Sequence, residues 1–135
     1  MKRYITSSAE GKYIQIQNDA IQKYNISLDP YSTCRRRMHT HVKERRICKW
    51  HPKNSAASTF DLLHEIGHVE TTKSGMRRCE AEYYATQWAI DRCKEYGITI
   101  PDQTIQNYQR YIDRELSRGL RRGGANYPED LTLEV

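Results

Sequence analysis

The 135-residue sequence predicts one α+β domain that is mostly helical. Two observations carry that expectation. Apolar residues recur at helical spacing in several segments separated by turn residues, and only one short stretch, residues 42–50, reads as a strand. No internal repeat, low-complexity segment or long linker divides the chain, and its length suits a single modest core. The domain is expected over residues 1–124, with residues 125–135 as an extended or mobile tail.

A first helix is expected from about Ser8 to Tyr24, where Tyr13, Ile16, Ala20, Ile21 and Tyr24 recur at helical spacing. Gly11 weakens its start, and Asn25 before Ile26 is a plausible left-handed stop with an apolar residue after it. Asp29-Pro30 marks a turn, and residues 31–53 read as irregular or strand structure. Val42, Ile47, Cys48 and Trp50 stand among charges there, which makes Val42 to Trp50 the strand candidate. His51-Pro52-Lys53-Asn54 then breaks the chain. A second helix starts near Ser55 or Ser58, either of which can cap it, and runs to about Glu70. A third spans about Arg78 to Tyr96 and stops at Gly97. A fourth starts at Pro101 or Asp102, carries Ile105, Tyr108, Ile112, Leu116 and Leu120 on one stripe, and ends near Gly123-Gly124.

The composition, 37% hydrophobic and 29% charged, is that of a soluble globular protein on the polar side. No apolar run approaches the roughly 18 residues of a membrane span, and no apolar stretch follows the charged start Met1-Lys2-Arg3. A cytoplasmic protein without a membrane partner is therefore expected. Lys and Arg number 22 against 17 Asp and Glu, and the surplus sits in runs: Arg35-Arg36-Arg37, Lys43 to Arg46, Arg77-Arg78 and Arg118 to Arg122. Such runs form a solvated basic face or meet nucleic acid or an acidic protein. Cys34, Cys48, Cys79 and Cys93 include no C-x-x-C pair and read as reduced, buried thiols. Cys34, His39, His41 and Cys48 are a weaker candidate for a second metal cluster, because their spacing fits no standard zinc module.

The chemistry concentrates at His64-Glu65-Ile66-Gly67-His68, an H-E-x-x-H motif. Helical residues four apart project about 40° from each other, so both imidazoles can reach one ion. Glu65 lies about 100° from His64, close enough to hold a water on that ion. Zinc suits imidazole and carboxylate ligands, and three protein ligands leave one position for water. Two apolar stripes, Phe60-Leu63-Gly67 and Leu62-Ile66-Val69, flank the polar stripe of Asp61, His64, Glu65 and His68. Buried histidines between them need partners, which a metal supplies. Asp61, one turn before His64, is either the acceptor behind a ligand imidazole or a helix cap. Glu80 and Glu82 both open the third helix as candidate third ligands. Glu82 shares its face with the small residues Ala85, Ala89 and Cys93, which suit a close helix contact, so Glu82 is preferred.

These residues resemble the ImmA/IrrE family of metallo-endopeptidases. That family follows H-E-x-x-H with a helix reading approximately E-x-x-A-N-x-F-A, and here the helix reads Glu82-Tyr83-Tyr84-Ala85-Thr86-Gln87-Trp88-Ala89. Thr86 replaces the usual Asn and Trp88 the usual Phe. The match covers about residues 56–90 and is closest to the short, single-domain members common on phages and mobile elements. The resemblance implies a zincin-like core, with the motif helix packed on a small sheet and a second ligand-bearing helix. It implies one zinc per chain on His64, His68 and Glu82, with Glu65 as general base. It also implies a protein substrate, typically a helix-turn-helix transcriptional repressor.

The expected reaction is zinc-dependent peptide hydrolysis, with Glu65 taking a water proton and passing it to the leaving amine. Tyr83, Tyr84, His51 or an arginine from a basic run are the candidates to stabilise the oxyanion. Two other readings remain. One is a metal-containing protein that sequesters a regulator or host defence protein without cleaving it, though such a protein has no need of Glu65. The other is a basic nucleic-acid-binding protein, for which no recognised module is visible. An auxiliary DNA contact through the basic runs is compatible with the peptidase reading.

Overall fold

The structure, a computed structural model, describes residues 11–31, 38–124, 126–128 and 130–135. Among them the chain runs α1 (Lys12–Lys23), β1 (Ser27–Asp29), β2 (His39–His41), β3 (Arg46–Cys48), α2 (Ala56–Thr71), α3 (Arg78–Tyr96) and α4 (Asp102–Arg121). The class is α+β and mostly helical. None of the described helices is long and apolar enough to cross a membrane.

Helix boundaries follow local chemistry. Within the described residues α1 begins after Gly11, at φ 106, and the Asn54 side chain accepts from the Tyr13 N–H at 3.1 Å; the expected start at Ser8 lies outside them. Its buried positions are Ile14, Gln17, Ala20 and Ile21, with Tyr13, Ile16 and Tyr24 packed around that stripe. The buried face is thus rotated from the one expected and includes a polar residue. Gln17 is tolerated because its amide donates to Lys53 O and Thr59 Oγ1, both at 2.8 Å, tying α1 to the start of α2. Asn25 takes φ 53, and Ile26 N–H closes back on Ile21 O at 2.9 Å. Ser55 caps α2 by accepting from Ser58 N–H at 3.1 Å. Gly97 ends α3 at φ 70, with Ile98 N–H on Cys93 O at 2.9 Å.

The strands are three residues each, and only one falls inside the expected Val42–Trp50 segment. Arg45, at φ 52, donates to Val42 O, so residues 42–45 turn rather than extend, and β3 covers only Arg46–Cys48. β3 pairs antiparallel with β2 and parallel with β1, in the order β1-β3-β2. Ile47, fully buried, anchors this sheet to the core.

α2 sits at the centre. Phe60, Leu62, Leu63 and Ile66 are all fully buried on it, as both apolar stripes require. α3 crosses it with backbones in contact: a Cβ at Gly67 would stand 2.5 Å from Ala85 O. α4 is the outer layer, where Ile112 is fully buried, Ile105, Tyr108 and Leu116 partly, and Leu120 is 52% exposed. The end of the chain is extended and joins the core through buried Leu131 and Leu133. Gln109 holds Leu131 O and Leu133 N–H, and Gln87 holds Glu134 O and N–H, at 2.8–3.0 Å. Each amide side chain there uses its donor and its acceptor, as a strand partner would.

Candidate metal centre

The Gly67–Ala85 contact sets the site. Glu82 lies one turn before Ala85, so the same approach brings its carboxylate against the two imidazoles of α2. His64 Nε2 is 3.2 Å from Glu82 Oε1, His68 Nε2 is 3.0 Å from Glu82 Oε2, and the two Nε2 atoms are 3.2 Å apart. Ligands at zinc–nitrogen distance in a tetrahedron stand about 3.3 Å from one another, which these spacings approach. His64 is 3% and Glu82 9% exposed, while His68 opens further toward solvent.

The atoms behind the ligands favour a metal. Thr86 has one hydroxyl proton, and donates it to Glu82 O at 2.7 Å. It therefore accepts from His64 Nδ1–H at 3.0 Å, which leaves the Nε2 lone pair of His64 free to coordinate. Two imidazoles and a carboxylate then meet at one point, an arrangement that could hold a metal ion. The charges respond accordingly. Burial pushes the Glu82 carboxyl up, but the adjoining His64 and His68 imidazoles outweigh it and hold the group well below the usual carboxylate range. Burial disfavours the charged form of His68, yet Glu82, with Glu65 beyond it, raises its pKa.

Glu80 sits elsewhere. Its carboxylate accepts from Arg77 N–H at 3.2 Å and caps α3, so Glu82 is the acid that joins the histidines. Asp61 does not hold an imidazole. Its Oδ1 accepts from the Tyr108 hydroxyl at 2.7 Å, and burial raises its pKa against the pull of that bond. Tyr108, reaching in from α4, lays its ring 4.6 Å from His64, and burial lifts its own pKa further.

Glu65 is half-buried beside the ligands, where its Oε1 accepts from the Thr40 hydroxyl of β2 at 2.5 Å. Both open into a cleft of about 810 Å³ shared with His64, His68 and Glu82. Among the described residues, Tyr83, Tyr84 and His51 do not line this cleft. Tyr83 and Tyr84 pack on each other, and His51 is exposed. Among the polar side chains that do line it are His39, Thr72, Arg78, Tyr108 and Tyr111, and Arg78 comes from one of the basic runs. Arg78 donates to Tyr111 Oη at 2.8 Å, a bond that raises its pKa. No sequence signal marked Tyr108 or Tyr111, which arrive from α4, although their helical stripe placed Tyr108 on the inner face.

The other basic runs are partly structural. Arg45 donates to Glu70 and Tyr24 O, and Arg77 stacks 4.2 Å over the Tyr127 ring. Arg118 pairs with Glu115 at 3.1 Å. Arg35, Arg36, Arg37 and Cys34 lie outside the described residues. Cys48, Cys79 and Cys93 are buried free thiols, and burial pushes Cys93 up to about 12. No family model, no curated protein and no solved structure matches this chain.

Proposed function

We propose that this chain is a zinc-dependent endopeptidase of the ImmA/IrrE kind, with a zincin-like core, acting on a specific protein in the cytoplasm. One observation carries the reading. A carboxylate that is not a ligand, Glu65, stands beside a three-ligand cluster and faces a cleft large enough for a peptide segment. A metal site that only binds or braces has no use for that group.

His64, His68 and Glu82 would hold the zinc, which would supply a Lewis acid for the peptide carbonyl and acidify the attacking water. Glu65 accepts the proton of the attacking water as the new C–O bond forms, then returns it to the nitrogen as the C–N bond breaks. Thr40 holds the Glu65 carboxylate by one oxygen and leaves the other for that proton. Thr86 keeps His64 in the tautomer that coordinates. Arg78 and Tyr111 line the cleft as donors that can meet the carbonyl oxygen as it gains charge, whereas the Tyr108 hydroxyl proton is held by Asp61. β2 lies at the sheet edge along the cleft, so an extended peptide can add beside it through backbone hydrogen bonds.

The substrate class, a helix-turn-helix repressor, rests on the resemblance of residues 56–90 to the family, and the basic runs suit a substrate near DNA. The test pairs wild type with Glu65→Gln against the repressor encoded beside this gene. The variant should keep its metal and fold and lose hydrolysis, because Gln is nearly isosteric but takes no proton. Cleavage at a comparable rate would remove Glu65 from the reaction. Tight binding of the repressor by both proteins without cleavage would favour sequestration.

A further inference from the structure

The β2–β3 hairpin carries a second set of side chains that could hold a metal. In the β2–β3 register Thr40 stands opposite Ile47, His39 opposite Cys48 and His41 opposite Arg46. Cross-strand partners share a face, and neighbours along a strand alternate. Ile47 is in the core and Thr40 reaches Glu65 on α2, so theirs is the inner face. His39, His41 and Cys48 therefore share the opposite one, and His39 also lines the cleft. One ligand atom from each lies within 4.8 Å of the other two. Cys48 is 1% exposed, and His39 and His41 beside it are half-buried. A thiol sealed from water with two half-buried imidazoles within reach of its sulfur has the neighbours of a ligand.

We propose that His39, His41 and Cys48 form a second metal site, for zinc, that staples β2 to β3. Thiolate with imidazole selects a borderline-soft ion and excludes magnesium and calcium. Tetrahedral zinc sets nitrogen–sulfur separations of about 3.6 Å, so side-chain rotations of about an ångström close the set. Binding displaces the thiol proton to solvent, and the thiolate and two neutral imidazoles leave one position open. The strands are three residues long, too short to hold a register by themselves. An ion clasped by both carries its binding free energy into that pairing. Thr40 lies between His39 and His41, so the staple also fixes the strand from which Thr40 holds Glu65.

None of these ligands belongs to the His64 site, so the two proposals fail separately. Chain purified without chelator should carry about two zinc ions, and Cys48→Ser, His41→Gln and His64→Ala should each carry about one. Cobalt(II) substitution distinguishes the sites, because only the second contains sulfur. Thiolate-to-cobalt charge-transfer absorption in the near ultraviolet is expected in wild type and His64→Ala, and its loss in Cys48→Ser. If Cys48→Ser folds poorly, the wild-type spectrum and His41→Gln, which keeps the thiol, decide the matter. Wild type without the band, or Cys48→Ser with it, would overturn the site. One zinc per chain, lost in Cys48→Ser and kept in His64→Ala, would uphold this site and remove the peptidase metal.

Discussion

The α2–α3 helix pair and the β2–β3 hairpin border the same cleft but are held in different ways. The helix pair is joined backbone to backbone at Gly67 and Ala85, with Leu63, Ile66, Ala85 and Ala89 fully buried around the contact. All three metal-ligating atoms of the His64 cluster come from it. The hairpin consists of three-residue strands, and its contribution to the reaction is one half-buried hydroxyl on Glu65. Holding an ion needs several groups fixed together, which close-packed helices provide. Orienting a base needs one hydrogen bond, which an edge strand provides. Variants of the helix pair should therefore remove the His64-site metal and stability, and the hairpin's Thr40 variants should change rate alone.

The largest effect belongs to Glu82. Glu82→Ala removes a ligand and should lower zinc affinity by orders of magnitude, with stability falling as well, because bound metal stabilises the folded state. Glu80→Ala loses a cap and should cost under about 1 kcal/mol with zinc retained. Competition against a chelator separates them, and metal loss in the Glu80 variant alone would break the assignment. Gly67→Ala comes next. Its Cβ meets Ala85 O at 2.5 Å, a backbone atom that can yield only by moving α3. The substitution should destabilise the chain by about 1–3 kcal/mol and weaken zinc binding, since Glu82 moves with Ala85. Thermal melts and zinc titration both read it, and an unchanged affinity would mean the helix contact does not set the ligand geometry.

The two regions also differed in how much the sequence disclosed. Residues that act through their own turn of helix were legible: Asn25, Ser55 and Gly97 ended or began helices by local conformation and capping. Glu82 was legible because Ala85 and Ala89 mark the face that packs closely. The hairpin was not, because three residues are too few for alternation to show and β1 pairs with a strand far along the chain. Asp61 read equally as the acceptor behind an imidazole or as a helix cap, and only the arrival of Tyr108 from α4 shows its oxygen to be engaged elsewhere. Thr86 looked like a departure from the family pattern. Its hydroxyl, four residues after Glu82, turns out to bond both Glu82 O and His64.

Thr86→Val tests that bond within the helix pair. The isostere keeps the packing and removes the acceptor for His64 Nδ1–H, so the imidazole loses its imposed tautomer. Partners behind metal-bound histidines are typically worth about 10–100-fold in affinity, and a weakening of that order is expected in zinc competition. Thr86→Asn, the residue usual in the resembled family, should recover part of it. A Val variant that binds zinc as wild type does would show that ring packing against Tyr108 orients His64 by itself.

The smallest effect, and the sharpest for the contrast, is at Thr40. Thr40→Val removes the hydroxyl that donates to Glu65 Oε1 and leaves the strand's volume and backbone pairing in place. Hydrogen bonds to charged groups are worth about 1.5–3 kcal/mol when intact, but Glu65 is half-buried and water can replace part of the loss. About a tenfold fall in kcat is therefore expected, with zinc affinity, melting temperature and KM near their wild-type values. Thr40→Ser should restore the rate, because it returns the donor. The result that matters most is the metal. If Thr40→Val releases zinc, the hairpin supports the ligands as well as the base, and the separation between the two regions fails. If the rate falls and zinc stays, the edge strand's hydroxyl acts on Glu65 alone.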